Sequence, residues 1–417
     1  MLPAGLPAVD LHGPLRAISC QRAVFQASVD LAFLTQDRLR TYPRIIVLGY
    51  VISAVLTIGY WFAQPLSGVA NPGGDFIAFH AAGRMAADGL AANAYDPQQL
   101  QEVYSTILPG MEDVLGWYYP PVFFLPLEPL AHLPYFGALT VWIAVMAGLF
   151  ALAVRPLIHH RDEAWAIAAS APVFYNLFDG QNGFLTAALM IWAYRTLFAR
   201  PAIAGLALGC LCYKPHLAIL FPVLLLALGE WRAFAAATLT VAALVGLSLL
   251  AYGPAPWEAF FVENLQRLAQ FHGTAGTFQM ARIASPNALL LGFGSGPELA
   301  RLVQLAFMAG VAIAIVAMVR AGAPRPMVFA FTVSAAIPAA PHNFLYDWTI
   351  LVLPMLILWR EIERTGLLPF ERATMLTVFI AALPLGALPV DFVIAPGVLP
   401  LLALMAVLAR RALGGRP

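Results

Sequence analysis

Charged side chains are scarce in this sequence: they make up 11% of its 417 residues, whereas hydrophobic side chains make up 61%. Typical soluble domains are about 25% charged and about 45–50% apolar. This deficit, with a mean hydropathy of +0.79, excludes a soluble enzyme and a disordered chain. The 23 basic and 22 acidic residues nearly cancel, so the chain lacks the basic surplus of a nucleic-acid-binding protein. We therefore expect an all-α polytopic membrane protein with a single membrane domain.

Lysine and cysteine are also rare. Lys214 is the single lysine of the chain, and every other basic residue is an arginine. The three cysteines, Cys20, Cys210 and Cys212, form no metal-ligand spacing with histidine, and their odd number argues against a disulfide framework. The first long apolar run starts only at Ile45, so we expect no cleavable signal peptide.

Long apolar runs predict about 12 transmembrane segments (roughly 10–13), since about 17–25 residues of helix cross a bilayer core. The stretch 201–230 is interrupted at Lys214-Pro215-His216, and we interpret it as a hairpin of two short helices. A single kinked helix is the alternative. The other predicted segments are 45–62, 135–154, 163–178, 183–199, 233–252, 302–319, 326–341, 344–359, 373–390 and 393–409.

The arginines predict the orientation, because cytoplasmic loops of membrane proteins are enriched in basic residues. With a cytoplasmic N-terminus and a hairpin at 201–230, the arginines fall on the cytoplasmic side with four exceptions. A single crossing at 201–230 would reverse the distal half and abolish this agreement. We expect a multi-pass protein of the plasma (inner) membrane with both termini cytoplasmic. The exceptions are Arg84, Arg267, Arg282 and Arg301.

This orientation places two long segments, 63–133 and 253–301, on the outer side. The first contains a predicted amphipathic helix over 76–89 and a short helix over 98–108, which we interpret as a cap at the lipid–water interface. The predicted organisation is a cytoplasmic N-terminal segment (1–44), one transmembrane domain (45–411) and a cytoplasmic tail (412–417).

Asp75 follows two glycines and opens the predicted helix 76–89. The structural interpretation is an N-cap, because an aspartate at this position accepts hydrogen bonds from backbone N–H groups. The functional interpretation is a general base at the mouth of a membrane cavity. The two are compatible, since a capping position also holds a carboxylate in place.

Asp179-Gly180-Gln181-Asn182 joins two predicted spans on the outer side. Asp-Gly followed by polar residues is typical of a tight turn, and spacing alone favours that interpretation. The functional interpretation is a loop that binds the hydroxyl groups of a sugar, with contributions from Asp179, Gln181 and Asn182.

Lys214-Pro215-His216 interrupts an apolar stretch. A lysine at membrane depth is expensive and needs a partner. Pro215 frees backbone groups that are tolerated only inside protein or along a cavity. Lys214 and His216 therefore suit a phosphate group, and a lysine that snorkels to the interface is the alternative.

The turn from Pro341 to Asp347 also joins two predicted spans on the outer side. His342 is suited to donate a hydrogen bond to a phosphate or to relay a proton; the alternative is a polar turn residue in water. Further outer candidates are Arg84 for a donor phosphate, Tyr118, Tyr119 and Tyr346 for a sugar or acceptor, and Glu263, Arg267, His272 and Arg282.

Several motifs are missing. No spacing of histidines or carboxylates matches a zinc or calcium site, and neither a phosphate-binding glycine loop nor a nucleotide fingerprint is present. We therefore expect neither a metal nor a cofactor. A transferase that faces outward and has no nucleotide site needs a donor carried by a membrane lipid.

Between roughly residues 45 and 360 the chain resembles the GT-C superfamily of membrane glycosyltransferases. The similarity is greatest to the polyprenol-phosphate-mannose-dependent alpha-1,2-mannosyltransferases, which include the mycobacterial phosphatidylinositol mannoside mannosyltransferases. The elements that carry this resemblance are Gly74-Asp75-Phe76, Tyr118-Tyr119-Pro120-Pro121, Gly180-Gln181-Asn182, Lys214-Pro215 and the turn from His342 to Tyr346.

The resemblance implies a GT-C-like bundle that transfers a hexose, mannose in that family, from a polyprenyl-phosphate sugar to a glycolipid or glycan acceptor with inversion. By position Asp75 is the base in the first outer loop. From the chemistry of histidine, we expect His342 to be the second catalytic residue. Related enzymes often carry an acidic pair in this loop, sometimes with a divalent metal. Here Phe76 follows Asp75, so we expect no metal.

Two rival functions remain at this point. A transporter or flippase explains polar residues at membrane depth equally well, but transporters tend to have broken helices at matching places in both halves. We find one clear break, at Lys214-Pro215. A non-catalytic membrane protein of envelope assembly is the second rival, and it predicts that Asp75 lies on a convex surface away from Lys214 and His342.

Overall fold

A computed structural model describes residues 35–63, 73–109, 115–264, 282–386 and 395–414, and this part of the chain is helical without a strand. The first ten helices are α1 (Gln36–Ala63), α2 (Phe76–Ala87), α3 (Pro97–Ile107), α4 (Phe124–Ala131), α5 (Tyr135–Val154), α6 (Arg161–Ala168), α7 (Ala171–Phe178), α8 (Gly183–Thr196), α9 (Pro201–Cys210) and α10 (Pro215–Ala218). The others are α11 (Phe221–Leu228), α12 (Trp231–Tyr252), α13 (Ala255–Ala259), α14 (Pro286–Gly292), α15 (Pro297–Arg320), α16 (Arg325–Ala339), α17 (Val352–Thr365), α18 (Glu371–Gly386) and α19 (Val398–Gly414).

Short 3₁₀ turns connect several of these helices. They lie at Ala91–Tyr95, Pro121–Phe123, Arg155–Leu157, Leu211–Tyr213 and Leu345–Leu351. Proline at the first positions of Pro121–Phe123 and of helices such as α9 and α10 explains why new elements begin there, because its fixed φ suits a helix start.

Four helices in the described residues are long and apolar enough to cross a membrane: α1, α5, α12 and α15. The other predicted spans are shorter or broken helices, so the total of 12 stays a prediction. The predicted span 163–178 is two helices, α6 and α7, separated at Ser170. Pro172 at the start of α7 lacks the N–H that a continuous helix would need there.

Basic side chains gather at one end of the bundle, which we call the arginine end. Arg40 and Arg44, near the start of α1, pair with Asp162 at the start of α6. Arg360 on α17 pairs with Glu163. At this end too, Arg411 on α19 pairs with the fully buried Glu371 at the start of α18. All four arginines belong to the set predicted for one face.

The other end of the bundle, which we call the loop end, carries the polar loops 73–75, 179–182 and 341–347. Helix α5 runs between the two ends: Tyr135 lies against Gly73, whereas the carbonyl of Ala153 accepts a hydrogen bond from Arg195. Helix α8 runs alongside, from Gly183, which touches Tyr346, back to Arg195. A charge pattern read from sequence thus separates two physical ends.

The stretch 201–230 reverses direction, as the hairpin interpretation predicted. A β-carbon added to Gly205 would lie 2.2 Å from the carbonyl oxygen of Ala233, and one added to Gly209 would lie 2.7 Å from that of Ala237. Gly209 lies four residues after Gly205, and its neighbour Ala237 lies four residues after Ala233, so α9 and α12 run parallel. The chain between them must therefore return to its starting level, and the alternative of a single kinked helix is wrong.

Helix α2 is a buried helix, and the prediction of an amphipathic interfacial helix is wrong. Ten of its twelve residues are buried, from Phe76 to Ala86. It packs on α4, where a β-carbon on Gly83 would lie 2.7 Å from the carbonyl oxygen of Leu127. Apolar and small residues on all faces of a helix favour burial rather than a position at an interface.

Helix α16 forms the centre of the bundle. Every residue from Met327 to Ala339 is buried, so this helix has protein on all sides. Its C-terminal end leads directly into the loop that carries His342 and Asp347. The core thus fixes the base of the loop end.

Several predicted boundaries shift. Helix α1 starts at Gln36 within the predicted segment 1–44, and α19 extends to Gly414 into the predicted tail. The predicted outer loop 253–301 contains α13, α14 and the first turn of α15. Residues 1–34 of the N-terminal segment lie outside the described residues.

Candidate active site

Asp75 does not cap the helix that it precedes. It occupies the N-cap position of α2 with helical backbone angles, and its side chain makes no capping hydrogen bond. Instead, Oδ2 of Asp75 accepts a hydrogen bond from Nε2 of Gln181 at 2.5 Å. The interpretation of Asp75 as a helix cap is therefore wrong, and its half-buried carboxylate is directed toward the second polar loop.

Glycines allow the loops around Asp75 and Asp179 to touch. A β-carbon on Gly74 would lie 2.8 Å from Cα of Asp179, and one on Gly180 would lie 2.7 Å from Cβ of Phe76. Both glycines have positive φ, +48° and +61°, which also disfavours a side chain. Trp142 on α5 donates a hydrogen bond to the carbonyl of Gly180 at 2.8 Å and fixes this loop.

Two carboxyl groups from distant parts of the sequence thus share one site. Burial raises the pKa of Asp75, while the Gln181 hydrogen bond and the charges of Lys214 and Arg282 oppose that rise. Burial and the charge of Asp75 raise the pKa of Asp179 to about 7. The sequence shows no acid next to Asp75, and the structure supplies one from the tight turn predicted at Asp179.

Lys214 forms a buried ion pair at the tip of the hairpin. Its Nζ lies 2.6 Å from Oδ1 of Asp347, and the two side chains are 3% and 2% exposed. The Tyr346 ring lies 4.8 Å from the ammonium and the Tyr119 ring 5.9 Å away. A snorkelling lysine would have its ammonium in water, so that interpretation is wrong.

Aromatic and amide groups line the space next to the ion pair. The Tyr213 ring stacks on Phe123 and faces Tyr119, and its hydroxyl shares a 2.6 Å hydrogen bond with Thr186. Asn182 is fully buried beside the hydroxyl of Tyr119. The predicted Tyr119, Gln181 and Asn182 therefore lie together with Asp75 and Lys214.

His342 and Tyr118 lie at the rim of the same site. Their rings are 6.5 Å apart, and His342 packs edge-on against Phe344 at 4.8 Å. Tyr118 is 43% exposed and His342 is half-buried. Ring contacts connect His342 to Phe344 and Phe344 to Tyr346, whose ring lies 4.8 Å from the Lys214 ammonium.

Other predicted residues lie apart from this site or outside the described residues. Arg84 is half-buried on α2, nine positions beyond Asp75 and hence about 13 Å along the helix axis. His216, by contrast, is half-buried, two residues beyond Lys214, and lies within electrostatic reach of Lys214 and Asp347. Arg267 and His272 lie outside the described residues, as does the side chain of Glu263.

Arg282, predicted only as a further outer candidate, lies in the site. Its charge acts on both Asp75 and Asp179, and its guanidinium donates a hydrogen bond to the carbonyl of Gly386 at 3.2 Å. It is the arginine of this site, a role that Arg84 is too distant to fill.

Sequence reasoning missed Asp347, Tyr213 and the proximity of Asp179 to Asp75. A signal existed for Asp347, because a lone buried lysine needs an anionic partner. The available partners were the few carboxylates in loops at the same end of the bundle. No spacing connects Asp179 with Asp75, since their contact depends on tertiary packing.

A group of three potential metal ligands within the described residues lies at the arginine end. Single ligand atoms of His160, Glu163 and Glu363 lie within 4.8 Å of one another. Arg360 pairs with both acids, at 2.5 Å and 2.8 Å, so its guanidinium offsets part of their negative charge.

The arrangement at the loop end can perform acid–base chemistry. A carboxyl group with a raised pKa is suited to accept a proton near neutral pH. Lys214 and Arg282 supply positive charge that can stabilise a developing anion. Asp75 is half-buried and within electrostatic reach of Lys214, which argues against a convex docking surface.

Comparison of the sequence with protein-family models identifies the family of this chain. The model of glycosyltransferase family 87 matches residues 117–354, which is more than half of the chain. The match includes Asp179, Gln181, Lys214, His342 and Asp347, while Asp75 lies on its N-terminal side. Comparison with curated proteins and with solved structures gives no match. The chain belongs to glycosyltransferase family 87, a GT-C-type family of membrane glycosyltransferases.

Proposed function

We propose that this protein transfers a hexose, mannose by its resemblance, from a polyprenyl-phosphate donor to a glycolipid or glycan acceptor at the loop end of the bundle. Family membership supports glycosyl transfer. The lack of a nucleotide fingerprint in the sequence supports a donor carried by lipid. The single observation that carries the proposal is that the Asp75 carboxylate does not cap its helix and is held by Gln181 within electrostatic reach of the cationic Lys214.

We propose that the loop end faces the outside of the plasma membrane and the arginine end the cytoplasm. The enrichment of cytoplasmic loops in basic residues supports this orientation. Helix α1 starts and α19 ends at the arginine end, which supports cytoplasmic termini. Helices that alternate between the two ends, with the hairpin at 201–230, support 12 segments.

In the proposed reaction Asp75 accepts the proton of the acceptor hydroxyl. The acceptor oxygen attacks the anomeric carbon, and the bond from that carbon to the phosphate oxygen breaks with its electron pair leaving on the phosphate. Attack from the face opposite the phosphate inverts the anomeric centre. A positioned base typically contributes about 10²–10⁴-fold to such a reaction.

Lys214, His342 and Arg282 stabilise the leaving phosphate in this proposal. His216, two residues after Lys214, contributes to the same phosphate site. Their positions support this assignment. Lys214 lies at the tip of the hairpin, His342 lies in the turn 341–347, and Arg282 acts on the two carboxyl groups. Stabilising developing charge at a site shielded from water is usually the largest catalytic contribution.

Hydrogen-bonding and aromatic side chains around this space are proposed to bind the sugar and the acceptor. Gln181 and Asn182 offer amide groups, and Asp179 offers a carboxyl. Tyr rings offer apolar faces with a polar hydroxyl, which suit the mixed surface of a sugar. These rings are Tyr118, Tyr119 and Tyr346.

The test is a transfer assay with the purified protein in lipid vesicles. Radiolabelled polyprenyl-phosphate mannose is the donor, mixed lipid and glycan acceptors are supplied, and GDP-mannose is the matched nucleotide donor. The proposal predicts label in a glycoside product from the lipid donor alone, and proton NMR of the new linkage shows the inverted anomer. Movement of the donor between leaflets without transfer would instead establish the flippase alternative.

A further inference from the structure

We propose that Asp347 is a positioning residue. It fixes the Lys214 ammonium relative to the turn 341–347, so that both are correctly placed to bind the donor phosphate. This inference rests on the function proposed above. Asp347 does not contact the reacting atoms; it acts through Lys214 and through the backbone of the turn.

Both oxygens of the Asp347 carboxylate are committed to this task. Oδ1 accepts a hydrogen bond from Nζ of Lys214 at 2.6 Å, and Oδ2 accepts one from the backbone N–H of Phe344 at 3.0 Å. Both side chains are almost completely buried, so water does not compete for the pair. One side chain therefore connects the hairpin tip with the turn that carries His342.

The ammonium is confined on several sides. The Tyr346 ring, next to Asp347 in sequence, lies 4.8 Å from Nζ, and the Tyr119 ring lies 5.9 Å away. A lysine side chain in water samples many rotamers, and ordering it at the moment of binding would weaken affinity. The pair removes that freedom before the donor arrives.

The lysine retains binding capacity in this arrangement. An ammonium has three N–H donors, and Asp347 accepts one of them. The remaining donors are available to a phosphate oxygen. The ion pair thus sets where the phosphate is bound, and the shared turn sets the distance between Lys214 and His342.

The test compares Asp347→Asn with Glu371→Gln, a matched control that breaks the buried ion pair to Arg411 at the arginine end. Kinetics use polyprenyl-phosphate mannose as the varied donor, and thermal melting reports the fold. We expect Asp347→Asn to raise the KM for the donor by about tenfold or more with little change in the KM for the acceptor. Glu371→Gln should lower the melting temperature and leave both KM values unchanged.

A double variant separates positioning from an independent role. Because Asp347 acts mainly through Lys214, Lys214→Met/Asp347→Asn should lose little activity beyond the loss in Lys214→Met alone, since only the hydrogen bond to Phe344 of the turn is left to lose. This comparison also removes both buried charges together, so it remains available if Asp347→Asn does not fold. Additive losses in the double variant, or an unchanged donor KM in Asp347→Asn, would overturn the inference.

The outcomes distinguish this inference from the proposed function. If wild-type protein transfers mannose and Asp347→Asn has a normal donor KM, the positioning role fails while the function stands. If wild-type protein transfers no sugar from the lipid donor, the proposed function fails, and the positioning role fails with it.

Discussion

At the scale of single residues, the two carboxyl groups of the site ionise in order, Asp75 before Asp179. Asp179 and Asp75 are adjacent through the contact of Gly74 with Asp179, and the charge of Asp75 makes ionisation of Asp179 less favourable. A base with a raised pKa becomes protonated as the pH falls through that pKa. Transfer activity should therefore rise with pH across the titration of Asp75.

Replacing Asp179 with Asn should leave the acid limb of the kcat/KM profile in place. The charge of Asp75 helps to raise the pKa of Asp179 to about 7, so Asp179 is still protonated and uncharged while Asp75 loses its proton. Initial rates from about pH 4 to 9 cover the ordinary carboxyl range and the titration of Asp179. An acid limb that moves to lower pH in Asp179→Asn would show that the charge of Asp179 acts on the base.

Residues of this site differ in how far the sequence reveals them. Lys214 is the single lysine of the chain, so scarcity alone identifies it, whereas Asp75 and His342 were identified by their places in outer loops and, for Asp75, by the family resemblance. Asp347 was visible only as the partner that Lys214 requires. The contact between Asp75 and Gln181 could not be predicted, because it depends on how the start of α2 packs against the loop 179–182.

At the scale of elements, two glycine-containing turns bring the carboxyls together. The predicted limits of α2 agree with Phe76–Ala87 to within two residues, but its surroundings do not. Periodicity alone suggested one apolar face, whereas the sequence from Phe76 to Ala87 is small or apolar on nearly all sides. That composition was the available signal for burial.

Gly74→Ala should impair transfer more than it impairs folding. The added β-carbon would lie 2.8 Å from Cα of Asp179 and would separate the two loops. Gly89→Ala is the matched control, since its φ is also positive, +75°, but no atom lies within 4 Å of the added carbon. Both variants should lose stability from backbone strain of about 1–3 kcal/mol.

Turnover and melting temperature of the two variants show whether the close approach of Gly74 and Asp179 is needed for activity or only for stability. Only Gly74→Ala should lose turnover, by about 10²-fold, because a displacement of about 1 Å in a site can cost this much. Equal turnover in both variants would show that the close approach of Gly74 and Asp179 is not needed for activity.

At the scale of the whole molecule, the separation of charge into two ends is the feature that sequence predicts best. Arginine positions gave the alternation of segments and the hairpin at 201–230, and the parallel register of α9 and α12 confirms that reversal. Span lengths were less predictable. Helices such as α16 lie inside the bundle and need not match the bilayer thickness.

Cysteine labelling tests the proposed orientation. In a background with Cys20, Cys210 and Cys212 replaced by Ser, a membrane-impermeant maleimide is applied to intact cells carrying one new cysteine. Glu298→Cys at the loop end should be labelled, since this side chain is 77% exposed. Arg161→Cys and the 71% exposed Arg364→Cys should be labelled only after permeabilisation.

The two arginine positions lie on either side of the hairpin in sequence. Labelling of Arg364→Cys but not of Arg161→Cys in intact cells would contradict the orientation, because it would require an odd number of crossings between them.

The most direct test of the account is the turnover of Asp75→Asn with radiolabelled polyprenyl-phosphate mannose in lipid vesicles. Asp88→Asn is the matched control, because Asp88 is an exposed aspartate at the other end of the same helix. Asp75→Asn should bind the lipid donor normally and lose about 10²–10⁴-fold in turnover, the usual contribution of a positioned base. Asp88→Asn should transfer like wild type. Full transfer activity in Asp75→Asn would contradict the assignment of Asp75 as the base.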